Sequence, residues 1–138
     1  MEQGTNWTID ASSGSRVFPH AQMPKRMAAN GSESFDVVKG MLGTGELVSI
    51  HETVQPQGPA PNPAHPIQHT ELICVSEGEL AFTHDGKTER AKAGDILLVA
   101  KGTVHQLQNV GAGPARYTVV AIGGDAFKPA TPATGGQK

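Results

Sequence analysis

Hydrophobic and polar positions alternate along most of the chain after residue 33, and this period of two is typical of β-strands. In the segment Glu79–His84, Leu80 and Phe82 fall on the same face. Turn-forming residues interrupt the alternation roughly every eight to twelve residues, and Asp85-Gly86 is a strong hairpin signal because both residues tolerate positive φ. The pattern predicts eight strands, over residues 35–39, 45–54, 70–75, 79–84, 87–91, 96–99, 104–110 and 116–122.

Three stretches lack this alternation. Residues 1–33 are polar and broken by glycine and proline, and they predict an irregular N-terminal extension or arm. Residues 55–66 contain five prolines, so only extended or polyproline-like backbone can run through them. Residues 126–138 have low apolar content and predict a flexible tail, which leaves 34–125 as the folded unit.

The composition supports the same fold class. A chain of 138 residues suits one domain, and 17 glycines with 10 prolines favour many short strands over a few long helices. We therefore predict an all-β antiparallel sandwich, jelly roll or barrel. Its interior should carry six apolar side chains, namely Ile67, Ile73, Val75, Leu80, Phe82 and Leu97.

Charge and cysteine content restrict the partners and the compartment. A formal net charge of −2, no run of Lys or Arg and 4% aromatic residues argue against nucleic acid binding. No apolar stretch is long enough to span a membrane, and residues 1–10 lack a signal-peptide pattern. Cys74, the single cysteine, lies in an apolar run and is expected to be a buried thiol. We expect a cytoplasmic protein, although a signal peptide removed earlier would leave no trace.

The stretch from His65 to Glu71 carries the clearest candidate chemistry. In a regular strand, positions 65, 67, 69 and 71 share a face, which would place His65, His69 and Glu71 together with Ile67 among them. His105, on a later strand, could come opposite in a closed or folded sheet. Such imidazoles and a carboxylate suit one divalent ion of Mn, Fe, Ni, Co or Zn. The alternative is that these are ordinary loop and surface histidines.

Two spacings in the chain resemble the two motifs of the cupin family, from about Val48 to Ile122. His65, Glu71 and Gly78 fall at matching positions of the first motif, with Ile67 where the second histidine usually stands. The second motif is matched by Gly94, Gly102, His105 and Asn109, with Ala100 replacing the proline. The segment between the motifs is short, as in small bacterial cupins. The resemblance implies a cupin jelly-roll barrel, or double-stranded β-helix.

The resemblance also implies a metal site, with His65, Glu71 and His105 at ligand positions. Three versions of this site remain open. His69 could replace the missing histidine and give a shell of His65, His69, Glu71 and His105. Alternatively, three protein ligands and water could complete the shell, or the site could have decayed and hold no metal.

The resemblance implies, as the first functional hypothesis, a metal-dependent enzyme of oxygenase, isomerase or lyase type. It would act on a small organic substrate. Glu71 would be a ligand able to act as a base, and His69 would be the natural proton-transfer group if it is not a ligand. The alternative is a non-catalytic module that binds a small ligand and has a degenerate metal site. The resemblance further implies a homodimer.

Two other strands carry weaker candidates. His51, in the strand before the proline-rich loop, could line the mouth of the pocket or face solvent, and we expect it to face solvent. Of Arg116 and Tyr117, on the last strand, one should point inward, and Arg116 is expected to point outward.

Overall fold

The computed structural model describes residues 7–58 and 64–127. The described residues form ten strands and one short 3-10 helix, His20–Gln22. The strands are β1 (Trp7–Ile9), β2 (Lys25–Met27), β3 (Glu33–Met41), β4 (Leu47–Gln55), β5 (Thr70–Glu77), β6 (Glu79–His84), β7 (Lys87–Lys92), β8 (Ile96–Val99), β9 (His105–Asn109) and β10 (Ala115–Ile122).

These strands form two sheets. The larger sheet has seven strands in the order β1-β3-β4-β10-β5-β8, with β2 also paired to β3. The smaller sheet has the order β7-β6-β9. All pairings are antiparallel except that of β1 with β3. The arrangement is a jelly roll, or double-stranded β-helix, and it confirms the predicted all-β class.

All eight predicted strands are present, but the N-terminal segment is more ordered than its sequence indicates. Strand β1 pairs in parallel with β3, and β2 pairs with β3 in antiparallel fashion. Each has only three residues, which is too short for a period of two to be visible in the sequence. The segment before residue 33 therefore extends the larger sheet. Of the predicted tail, only Ala126 and Phe127 lie within the described residues.

Two turns depend on backbone that favours glycine. The predicted hairpin between β6 and β7 has positive φ at both central residues, 49° at Asp85 and 77° at Gly86. Between β5 and β6, Gly78 has a φ of 84°, and a Cβ there would lie 2.5 Å from the carbonyl oxygen of Pro114. Any side chain at position 78 would therefore push β5 and β6 away from the start of β10.

The core lies between the two sheets and contains all six side chains predicted to be interior. Cys74 does not belong to it, so the prediction of a buried thiol is wrong. Because strand residues alternate faces, Ile73 and Val75 point inward and Leu72 and Cys74 must point outward. Within the described residues, no helix has the length and apolar character needed to cross a membrane.

The side chain of Asn109 ties the two sheets together. It is buried on β9 of the smaller sheet, and its amide nitrogen donates to the backbone carbonyl of Gln55 on β4 of the larger sheet, at 2.9 Å. The same nitrogen donates to Gly113, and the side-chain oxygen accepts from the backbone N–H of Gly111. One carboxamide thus satisfies three backbone groups, which would be costly to leave without partners in the interior.

Replacing Asn109 by alanine should lower the free energy of unfolding by roughly 2 to 4 kcal/mol, because buried backbone groups lose their hydrogen bonds. Urea unfolding followed by circular dichroism would measure this change. The matched control is Gln108→Ala, an exposed neighbour on the same strand, which should cost less than about 0.5 kcal/mol. Equal stability of the two variants would contradict the role given to Asn109.

Candidate functional site

A cavity of about 200 Å³ opens between the two sheets, and both sheets contribute to its wall. Strands β3, β4, β5 and β10 supply one side, and β9 supplies the other. Polar and apolar side chains are mixed in this wall. The lining residues are Ala28, Ser32, Ser34, His51, Thr53, His65, Glu71, Ile73, His105, Gln106, Leu107, Tyr117 and Val119.

Three of the four predicted metal ligands meet in this cavity. The residues His65 and His105 form an isolated antiparallel bridge, in which the N–H of His105 donates to the carbonyl of His65 at 3.3 Å. Their ring centroids are 5.2 Å apart. Glu71, on β5, approaches from the larger sheet, and its Oε1 lies 3.8 Å from Nε2 of His105. Backbone pairing therefore places two imidazoles beside one carboxylate.

The hydrogen bond of His105 determines which ring nitrogen is available to a cation. Its Nδ1 lies 3.2 Å from the carbonyl oxygen of Thr103, which can only accept a hydrogen bond. Nδ1 therefore carries the hydrogen, and in the neutral ring Nε2 presents a lone pair toward Oε1 of Glu71. Two acceptor atoms that face each other at 3.8 Å suit a cation between them, so this donor set fits a divalent metal.

The first-motif position occupied by Ile67 does not contribute to the cavity wall. Ile67 is 5% exposed and packs in the hydrophobic core. Over residues 7–58 and 64–127, no group of three or more His, Cys, Asp or Glu side chains is already arranged to hold an ion. The two potential ligands that face each other are thus Glu71 and His105, and His65 lies beside His105.

His69 lies next to the cavity and is not among the side chains that line it. Its Nε2 is 2.8 Å from Oε2 of Glu71, and its Nδ1 is 2.6 Å from Oδ1 of Asp125. Burial opposes a positive charge on this ring, but hydrogen bonds to Asp125 and Glu71 outweigh burial and raise the pKa of His69. Both nitrogens that could bind a metal therefore contact carboxylates.

His51 lines the cavity, so the expectation that it faces solvent is wrong. The polar residues Thr53 and Gln55, on the same strand, also point inward and are buried. This reverses the usual pattern, in which the apolar side of a half-buried strand faces the core. Burial, followed by the charge of Arg26, lowers the pKa of His51, which keeps its imidazole neutral at neutral pH.

The last strand places Tyr117 inside and Arg116 outside, as the sequence predicted. Tyr117 is 6% exposed and contributes to the cavity wall. Burial and the nearby charge of Glu71 raise its pKa to about 12, so the phenol remains protonated. Arg116 instead forms surface ion pairs with Glu52 and Glu77. The interior of β10 thus adds a neutral hydroxyl to the cavity.

The sequence profile of the Cupin domain matches residues 50–121, which is more than half of the chain. The chain belongs to the cupin family. The match contains both cavity-lining motifs, and it ends before Asp125. The expectation of a cupin barrel, made from the spacing of His65, Glu71 and His105, is therefore confirmed.

Solved structures of other proteins share the fold of this one. An RmlC-like cupin from Shewanella frigidimarina is 17% identical, with a TM-score of 0.63 over 80% of this chain and 94% of that chain. The polyketide cyclase RemF from Streptomyces resistomycificus is 16% identical, with a TM-score of 0.63 over 86% and 83%. A predicted oxalate decarboxylase from Thermotoga maritima is 20% identical, with a TM-score of 0.63 over 78% and 98%. No curated protein sequence matches this cupin.

Two of the features that surround the cavity had no signal in the sequence. The inward position of His51 could be inferred only from its strand partner, because His51 pairs with the buried Val119. The contact of Asp125 with His69 joins residues 56 positions apart, outside the two motifs.

Replacing Ile67 by histidine tests whether position 67 of this cupin can supply a ligand. Because the side chain packs in the core, Ile67→His should lower the free energy of unfolding by about 3 kcal/mol. Added Ni²⁺ or Zn²⁺ should raise its melting temperature no more than that of the wild type. The control Ile67→Val should cost about 1 kcal/mol. A metal-dependent gain larger than in the wild type would show that the position faces the cavity.

Proposed function

We propose that this cupin binds one divalent metal ion in its cavity and acts as a metal-dependent enzyme on a small organic substrate. His65, Glu71 and His105 would hold the ion. The observation that carries the proposal is the placement of Nε2 of His105 and Oε1 of Glu71, two acceptor atoms that face each other at 3.8 Å. The ion would be Mn, Fe, Ni, Co or Zn, since imidazole and carboxylate suit all of these.

Three protein ligands leave coordination positions for a substrate. When bound, the metal would supply a Lewis acid or an oxygen-activating centre, as reactions of the oxygenase, isomerase or lyase type require. The cupin's own groups would hold and orient the substrate beside the ion. The phenol oxygen of Tyr117 would accept a hydrogen bond, because its O–H already donates to Oε1 of Gln55. The neutral ring of His51 could donate or accept.

The cavity wall also limits the class of substrate. Its volume of about 200 Å³ suits a molecule that is small compared with common drug-like ligands. Among its lining residues in the described part of the chain there is no lysine or arginine, and hydroxyl groups, imidazoles, the carboxylate of Glu71 and the carboxamide of Gln106 supply the polar contacts. We therefore expect an oxygen-bearing organic molecule whose negative charge, if it has one, would be neutralised by the metal.

A second candidate function is a non-catalytic module that binds a small ligand. The core position of Ile67 favours it, because the family's usual second histidine is missing and the apolar side chain at that position cannot bind a metal. Such a module should keep its melting temperature in the presence of a chelator, and only its ligand should stabilise it. A metal-dependent enzyme should instead lose stability when the ion is removed.

Metal analysis of the purified protein tests the proposed site. The wild type, reconstituted with each of the five ions in turn, should hold close to one ion per chain for at least one of them. His105→Ala should hold almost none, because it removes the imidazole that faces Glu71. His20→Ala is the matched control, since His20 lies on the exposed 3-10 helix and should leave the metal content unchanged. Full metal retention in His105→Ala would overturn the proposed shell.

We also propose that two copies of this cupin associate through the outer face of β5 and β8. Leu72 pairs with Leu98 and Cys74 with Ile96, which makes a contiguous, mainly apolar patch. Ile96 and Leu98 are 67% and 61% exposed, and β8 is the last strand of its sheet. Exposed apolar edge strands commonly mark association surfaces. A single exposed thiol in this patch fits a reducing cytoplasm.

Leu98→Lys should convert the dimer to a monomer at micromolar concentration, because it places a charge in the centre of the apolar patch. Light scattering coupled to size-exclusion chromatography would measure the mass. Gln108→Lys, on the exposed side of the other sheet, is the control and should remain dimeric. A monomeric wild type would rule out this association.

A further inference from the structure

The two carboxylates that contact His69 come from distant parts of the chain. Glu71 is near the start of β5, and Asp125 lies just after the end of β10. The ring lies between them, with 2.8 Å from Nε2 to Oε2 of Glu71 and 2.6 Å from Nδ1 to Oδ1 of Asp125. Both contacts have the lengths of charge-assisted hydrogen bonds, in which the imidazole donates from both nitrogens. Asp125, His69 and Glu71 thus form a continuous chain of hydrogen bonds.

The turn that carries Asp125 is held by backbone hydrogen bonds to the residue before His69 and to the start of β4. The backbone N–H of Asp125 donates to the carbonyl of Gln68 at 3.3 Å, and Gly123 donates to Leu47 at 2.8 Å. Gly124 has a φ of 46°, and a Cβ there would lie only 1.7 Å from the carbonyl oxygen of Gln68. Only glycine allows this approach, so the backbone places Asp125 beside His69.

This chain of hydrogen bonds leaves the two oxygens of Glu71 in different environments. Oε2 accepts from His69, while Oε1 faces Nε2 of His105 across the cavity at 3.8 Å. A glutamate held in this way can rotate only if it breaks the bond to His69. Because Oε2 already accepts this hydrogen bond, a cation in the cavity would meet Oε1 first.

We infer that Asp125 and His69 are positioning residues, which orient Glu71 so that a single oxygen, Oε1, is presented to a metal in the cavity. This inference rests on the proposed metal-binding function. His69 acts through Glu71 and does not itself contact the ion. Asp125 acts one step further away, by orienting the imidazole. Partners of this kind typically contribute 10- to 100-fold to metal affinity.

Metal affinity in a double-mutant cycle tests this order of action. Co²⁺ titration of the full-length protein should show roughly 10- to 100-fold weaker binding in His69→Ala and weaker binding also in Asp125→Ala. In the double variant, loss of Asp125 should add nothing to the loss of His69, because Asp125 acts only through the ring. The variant His69→Gln should recover much of the affinity, since its amide can still donate to Glu71.

X-ray absorption of the Co²⁺-loaded proteins separates a positioning residue from a ligand. The number of coordinated imidazoles should be the same in the wild type and in His69→Ala. One imidazole fewer in the variant would make His69 a ligand and overturn the inference. Additive losses in the double-mutant cycle, or affinities within about twofold of the wild type, would also overturn it.

NMR of the metal-free protein separates failure of this inference from failure of the proposed function. The nitrogen resonances of the His69 ring in the wild type should show that both nitrogens carry a hydrogen-bonded hydrogen, and Asp125→Ala should shift the resonance of Nδ1. If the wild type binds none of the five ions but shows these signals, the metal function fails and the hydrogen-bonded chain stands. If the signals are missing from the wild type, the inference fails whether or not metal binds.

Discussion

The distance between the two sheets depends on the buried carboxamide of Asn109. Its hydrogen bond to the carbonyl of Gln55 joins β9 to β4, and thereby the smaller sheet to the larger one. His105 begins the same short strand that ends at Asn109, so whatever fixes that strand also fixes the imidazole. The facing atoms of His105 and Glu71 belong to different sheets. The candidate site therefore inherits its geometry from a structural hydrogen bond that lies outside it.

Local patterns in the sequence were sufficient to predict much of the barrel. Alternation located the eight strands from β3 onward, and Asp85-Gly86 predicted the hairpin between β6 and β7. What could not be predicted depends on contacts between distant segments. The three-residue strands β1 and β2 exist because β3 offers them an edge to pair with. The exposed position of Cys74 follows from alternation around Ile73, whereas an apolar run by itself suggested burial.

Only some residues of the candidate site could be predicted from the sequence, for the same reason. His65, Glu71 and His105 were found because motif spacing reflects the pairing of strands, and the structure brings them to one cavity. His51 was expected to face solvent, yet it lies on the same face of β4 as the buried Thr53 and Gln55. That face is buried because it meets polar partners inside the barrel, such as Tyr117, whose hydroxyl lies 3.4 Å from Oε1 of Gln55. When buried polar side chains form hydrogen bonds with one another, polar residues lie on the inner face of a strand. The alternation of hydrophobic and polar residues then no longer indicates which face is buried.

The turn after β10 has a consequence for how cupins diverge. The family profile ends at residue 121, yet Asp125 contacts the residue that holds Glu71. Mutations in this turn can change the behaviour of the carboxylate while every motif residue stays the same. Two cupins with identical motifs can therefore hold this carboxylate differently, and the residues that separate them would lie in the turn after β10, outside both motifs.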